Sequence, residues 1–111
     1  MKRSRSAAAA LPGVKRQRLN VGGQHFETSS DSLRKANYFE PIIEGRLKHG
    51  LDDDGRLFID RNGTLFSHIL DFMRTGLRPT EDVLAEHRDA LAEECIFFGL
   101  DSISSSTVYR S

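Results

Sequence analysis

Apolar residues recur most regularly between Leu57 and Gly76. The triplet Leu57-Phe58-Ile59 reads as a short buried strand ending in the charged pair Asp60-Arg61. Beyond a polar turn, Phe66, Ile69, Leu70 and Met73 fall at i, i+3, i+4 and i+7, one face of a helix. Leu65 and Phe72 widen that face, so the helix is expected to be buried on more than one side. Asn62 or Thr64 offers a capping oxygen, Gly63 supplies backbone freedom between them, and Gly76 predicts a left-handed stop. Arg74 suits the negative end of the helix dipole.

Upstream, Leu19 and Val21 alternate with Asn20, and Gly22-Gly23 leads into Gln24-His25-Phe26-Glu27-Thr28, the pattern of a β-hairpin. Ser29 or Ser30 would cap a short helix with Asp31 in its first turn and Leu33 and Ala36 inward. A second short helix is expected over Tyr38–Glu44, since Pro41 is tolerated in a first turn. Gly45 to Gly55 is a polar loop with the turn signal Asp52-Asp53-Asp54-Gly55. Leu77-Arg78-Pro79 reads as an edge or a turn, because proline donates no ladder hydrogen bond. From Thr80 or Asp82 the chain is helical again, with Val83, Leu84, Leu91, Cys95 and Phe98 inward and Gly99 ending it. A break near His87 to Asp89 would make this two helices instead of one. The element order predicts a mixed α/β (α+β) domain, a sheet of about three short strands covered by helices.

Charge divides the chain unevenly. Residues 1–18 carry Lys2, Arg3, Arg5, Lys15, Arg16 and Arg18 and no acid, against ten basic and sixteen acidic residues in the remainder. The net charge of zero therefore hides a basic arm on an acidic domain. Residues 1–17 are expected to be a disordered basic arm, 18–101 the folded domain and 102–111 a disordered tail. The two basic clusters of the arm read three ways: a solvated arm, a bipartite nuclear import signal, or a phosphate-binding arm for nucleic acid. No aromatic is interleaved with them, so base stacking is unsupported. An organelle transit peptide is opposed by the Pro12-Gly13 break and the want of large apolar residues.

Enzyme chemistry finds little footing. Gly22-Gly23 lacks the spacing of a phosphate-binding loop and precedes a strand. Counted from Asp52 as a calcium loop, the fifth position is Arg56 and the twelfth Gly63, which removes two ligands. His25, His49, His68 and His87 show no metal spacing, and no serine sits in a GxSxG elbow. The expectation is a chain without catalytic residues, metal or cofactor. One cysteine, Cys95, and no membrane-length apolar run suggest a reducing compartment, cytoplasm or nucleus.

Leu19-Asn20-Val21-Gly22-Gly23, Phe26-Glu27-Thr28, Phe58-Ile59-Asp60-Arg61, Phe66 with Ile69-Leu70, Arg74-Thr75-Gly76 and Glu93-Glu94-Cys95-Ile96-Phe97-Phe98-Gly99-Leu100 together resemble the BTB/POZ fold. The branch is the potassium-channel tetramerisation domain shared with KCTD-type proteins. The resemblance covers roughly Arg18 to Asp101 and implies a module that self-associates into rings of four or five subunits. Some members assemble channels; others bring substrates to a cullin scaffold of ubiquitin ligases. The resemblance places Asn20, Thr28, Asp60 and Arg61 at the subunit interface, with Asp60 and Arg61 pairing across it. Two departures stand out. Gly63-Thr64 occupies the place where the family commonly has a proline, and with Cys95 alone the zinc set of some channel members cannot be assembled. With neither a membrane helix nor a substrate domain following, a channel subunit and a self-sufficient ligase adaptor are both disfavoured. A scaffold or adaptor is expected. The alternatives are a nucleic-acid-associated oligomer using its basic arm, and a regulatory form that mixes into larger BTB assemblies.

Overall fold

The structure is a computed structural model that describes residues 15–100. Strands β1 (Arg16–Val21) and β2 (Gln24–Ser29) form an antiparallel hairpin with Val21 opposite Gln24 and Leu19 opposite Phe26. Gly22 and Gly23 make its two-residue turn with φ of 59° and 100°. Positive φ at both central positions matches the right-handed twist of the flanking strands and favours glycine. The third strand, β3 (Leu57–Ile59), lies parallel to β1 on its other side, giving the order β2-β1-β3. Parallel strands need a long crossover. Helices α1 (Ser30–Leu33) and α2 (Glu40–Ile43) and the polar loop after them supply it.

Helix α3 (Gly63–Thr75) follows β3 as the apolar period requires. Asn62, not Thr64, is its cap, accepting the Leu65 N–H at 3.0 Å, and Gly76 closes it at φ 75°. Gly63 has a different duty from the one expected. A Cβ there would stand 2.7 Å from the Val21 carbonyl oxygen and 2.8 Å from the Gln24 Cβ, so glycine lets the helix start press against the hairpin. Helix α4 (Glu81–Phe98) is continuous, without a break at His87–Asp89. Thr80 caps it, and the Leu100 N–H returns to the Cys95 carbonyl across the left-handed Gly99. Leu77–Pro79 links α3 to α4 outside any of the three strands.

Leu19, Val21, Leu57 and Ile59 turn one face of the sheet to the helices, where Phe66, Ile69, Leu70 and Met73 meet Leu84, Leu91, Cys95 and Phe98. Phe39 and Phe98 stack at 5.6 Å between ring centres, and Phe66 stands 5.3 Å from Phe98. Each such side chain contributes about 1.5–3 kcal/mol on burial, so these aromatic contacts tie α4 to both the crossover and α3. Ala36 is buried as expected, but beyond the end of α1, in the turn that leads to Phe39.

The boundary of the basic arm needs correction. Arg16 and Gln17, assigned to the arm, are strand residues, because their backbone pairs with Ser29 and Thr28. The rest of the arm up to residue 14, including Lys2, Arg3 and Arg5, and the tail 102–111 lie outside the described residues.

Candidate subunit interface

Strand alternation decides which residues share a surface. Arg16, Arg18 and Asn20 of β1 face away from the helices, in register with Ser29, Glu27 and His25 of β2, while Phe58 of β3 aligns with Asn20. This outer face is polar and exposed apart from half-buried Asn20 and Ser29, and Phe58 is its large apolar group. Arg16 pairs with Glu27 at 3.1 Å, and Arg18 donates to the Asp54 carbonyl at 2.8 Å. The second basic cluster is thus partly spent on the sheet. Lys15, just ahead of β1, is exposed.

Asn20 lies on this face and is used twice within the chain. Its Oδ1 accepts the Gly23 N–H at 2.8 Å, bracing the hairpin turn, and its Nδ2 donates to Asp52 Oδ2 at 2.9 Å. Asp52 Oδ1 accepts from the N–H groups of Asp54 and Arg56, each at 2.9 Å. The Asn20 hydrogen bond, followed by the Arg56 N–H, lowers the Asp52 carboxyl below the usual aspartate value. What reads in sequence as a solvated acidic turn is therefore pinned to β1 through one aspartate.

Thr28 does not join Asn20. It lies on the opposite, helix-facing side of the sheet and is buried, its Oγ1 accepting from Arg74 Nε at 3.3 Å. Arg74 also donates to the Glu27 carbonyl at 2.6 Å, so it fastens the end of α3 to β2. The helix dipole by itself accounts for neither of these two partners.

Asp60 is exposed, and the ion pair that Arg61 makes is with Glu94. The Arg61 guanidinium reaches Glu94 on α4 through Nε–Oε1 at 3.2 Å and Nη2–Oε2 at 2.5 Å. Its carbon Cζ also lies 4.2 Å from the centre of the Phe97 ring, a cation–π contact. The Glu94 hydrogen bond, above all, raises the Arg61 pKa, with Asp60 adding only a weaker through-space attraction. Glu94 is 5% exposed. It escaped notice in the sequence although a signal existed: Leu91, Glu94, Cys95 and Phe98 make one inward stripe, and an acid on a buried stripe requires a partner.

From Phe97 the contacts continue to Tyr38, 5.0 Å away between ring centres, and the Tyr38 hydroxyl meets His49 Nε2 at 2.9 Å. His49 Nδ1 faces the Gly50 carbonyl at 3.1 Å, which can only accept. In neutral His49 the proton therefore sits on Nδ1, and Nε2 accepts from Tyr38. Burial pushes the Tyr38 phenol up. Next to this network Ile96 projects from α4 with 80% of its surface exposed.

Among the described residues no three histidine, cysteine or carboxylate groups are placed to hold a metal ion, and no helix is long and apolar enough to cross a membrane. The arrangement offers polar contacts, an arginine–glutamate pair and exposed aromatic edges, the materials of a protein interface.

Comparison with known proteins agrees with the fold. A BTB/POZ domain model matches residues 18–108. The potassium channel regulatory protein of Mus musculus is 40% identical over 88 residues, 77% of this chain and 33% of that protein. The SH3KBP1-binding protein 1 of Bos taurus is 36% identical over 104 residues, 86% of this chain and 14% of that protein. The chain thus spans a third or less of the length of these curated relatives. With the β2-β1-β3 sheet, its helical cover and the family match extending over most of the sequence, the chain belongs to the BTB/POZ domain family, in its potassium-channel tetramerisation branch.

Proposed function

We propose that the chain works as a homo-oligomeric scaffold, a ring of four or five copies that leaves a second surface for another protein. The observation that carries this reading is the family match over residues 18–108, in a family of non-enzymatic interaction and oligomerisation domains. Geometry adds a surface on which copies could meet: the bare outer face of the sheet with Asn20 and Phe58, bordered by Asp60 and Arg61. A polar contact of this kind gives specificity more than raw affinity. The second surface would take an adaptor partner, for which a cullin-type ligase scaffold is the class the family suggests. Cytoplasm or nucleus is the compartment this role fits.

Light scattering on the purified chain tests the reading. A mass of four or five times 12.5 kDa supports it, and a mass near 12.5 kDa at micromolar concentration overturns it. Copurification with a cullin in high salt, after deletion of residues 1–14, tests the adaptor role separately from any phosphate binding by the arm.

A second reading is favoured by a relative whose name is potassium channel regulatory protein. On this reading the chain mixes into the rings of larger BTB proteins and limits their assembly. Coexpression with a channel tetramerisation domain would then yield mixed rings, and strictly separate homo-oligomers would exclude it.

A further inference from the structure

A cleft of about 220 Å³ opens where α3 ends and α4 begins. Leu77, Pro79 and Val83 give it apolar walls, and His68, Asp71 and Thr80 complete the lining. Asp71 and Glu86 are exposed, and both carboxylates act on half-buried His68. Arg74 stands 4.0 Å from Asp71, but its hydrogen bonds go to Glu27 and Thr28 of β2. Acid continues along α4, where Glu81, Asp82, Glu86, Asp89, Glu93 and Glu94 share the helix with one arginine, Arg88. Apolar walls with carboxylates on the rim suit a side chain that has a long aliphatic stem and a cationic head, lysine or arginine.

The chain itself carries such side chains close by. Residues 1–14 hold Lys2, Arg3 and Arg5 and no acid. They join the domain at Lys15, whose carbonyl accepts the Ser30 N–H at 2.7 Å at the start of α1. Lys35, in the turn after α1, donates to the Met73 carbonyl at 2.7 Å, and Arg74 donates to the Glu27 carbonyl. Lys15 therefore stands at the end of the domain where α3 stops and the cleft opens. Arg5 precedes it by ten residues, which span about 33–36 Å when extended. A tether of this length holds the local concentration at about millimolar, so ion pairs that are weak one by one suffice for contact.

We propose that the basic head of the N-terminal arm, Lys2, Arg3 and Arg5, docks in this cleft of its own chain. The cationic groups meet Asp71 and Glu86, and the aliphatic stems lie on Leu77, Pro79 and Val83. While docked, the arm withholds its first basic cluster from nucleic-acid phosphates and from an import receptor. It also covers the cleft against other proteins. The contact uses neither the outer sheet face nor Asp60 and Arg61, so it stands apart from the ring proposed above.

Paramagnetic broadening in the full chain tests the proposal, with a nitroxide on Ser4→Cys; Cys95 is buried away from the reagent. The isotope-labelled chain is diluted in a large excess of unlabelled wild type, so that broadening reports contacts within one copy. At low salt the amides of Asp71, Leu77 and Val83 should lose most of their intensity, and those of Gly50 and Ile96 little. Sodium chloride at 1 M, where the screening length falls to ~3 Å, should restore the signals. So should Asp71→Asn combined with Glu86→Gln. No broadening, uniform broadening, or broadening centred on another surface overturns the proposal. Broadening that persists in the double variant does the same, as does broadening that vanishes on dilution, which puts the arm on a neighbouring copy. Should the label disturb the fold, the His68 ring of the unlabelled chain decides. Replacing Lys2, Arg3 and Arg5 with glutamine should raise its titration midpoint at low salt, since nearby cations favour the neutral imidazole. An unchanged midpoint excludes the contact.

Discussion

Arg61, at the end of β3, holds the buried carboxylate of Glu94 on α4 with two hydrogen bonds of 3.2 and 2.5 Å. The pair joins the sheet rim to the last helix, and Phe97 lies beneath the same guanidinium. A residue expected to reach across to another subunit is therefore already engaged within its own. Any interface built at this rim receives Arg61 and Glu94 as one preassembled unit.

Removing one partner strands the other. Arg61→Ala leaves the Glu94 carboxylate buried without its counter-ion, at an expected cost of about 2–4 kcal/mol, somewhat below the range for a fully buried pair because Arg61 keeps 31% of its side chain exposed. Arg61→Lys should recover only part of this, since an ammonium cannot make the forked contact. Urea unfolding of both variants checks the order.

Asp60 separates assembly from folding. It is exposed and outside the Arg61–Glu94 pair, so Asp60→Ala should leave the melting temperature within a few degrees while lowering the mass seen by light scattering. The double variant Asp60→Ala with Arg61→Ala should lose mass and stability together. An unchanged wild-type mass in both would place the interface elsewhere.

Two glycines carry the contact between hairpin and helix. A Cβ at Gly22 would fall on the Arg61 carbonyl oxygen, and one at Gly63 would meet the Val21 carbonyl, whereas at Gly23 it would meet nothing within 4 Å. Gly22→Ala adds left-handed strain to that clash. It and Gly63→Ala should each cost about 2–4 kcal/mol, against ~1 kcal/mol for Gly23→Ala, which meets strain alone. Thermal melts of the three alanine variants would show the contrast.

Acid should loosen the loop that precedes β3. The Asp52 carboxyl is lowered by hydrogen bonds made only in the folded chain, so the unfolded chain binds its proton more readily. The stabilisation is present above the unfolded value near ~4 and fades as pH falls through the folded value. Melting temperatures between pH 5 and pH 2 should therefore fall more steeply for the wild type than for Asp52→Ala.

The sequence by itself determined the elements and the core. The apolar period of α3, the alternation of Leu19 and Val21, and the stops at Gly76 and Gly99 are local patterns, and local patterns fix helices, strands and their buried faces. The ordered motifs likewise sufficed to place the chain in its family. Side-chain partners were another matter, because they depend on how elements are packed in three dimensions. Strand register put Thr28 on the face opposite Asn20, and the placing of α4 gave Arg61, expected to reach another subunit, a partner in Glu94 of its own chain. The closeness of α3 to β1 and β2, not turn freedom, explains Gly63. The same packing brought His68 and His87 together from separate helices. Periodicity reports which way a side chain points; only the tertiary structure sets what it meets there.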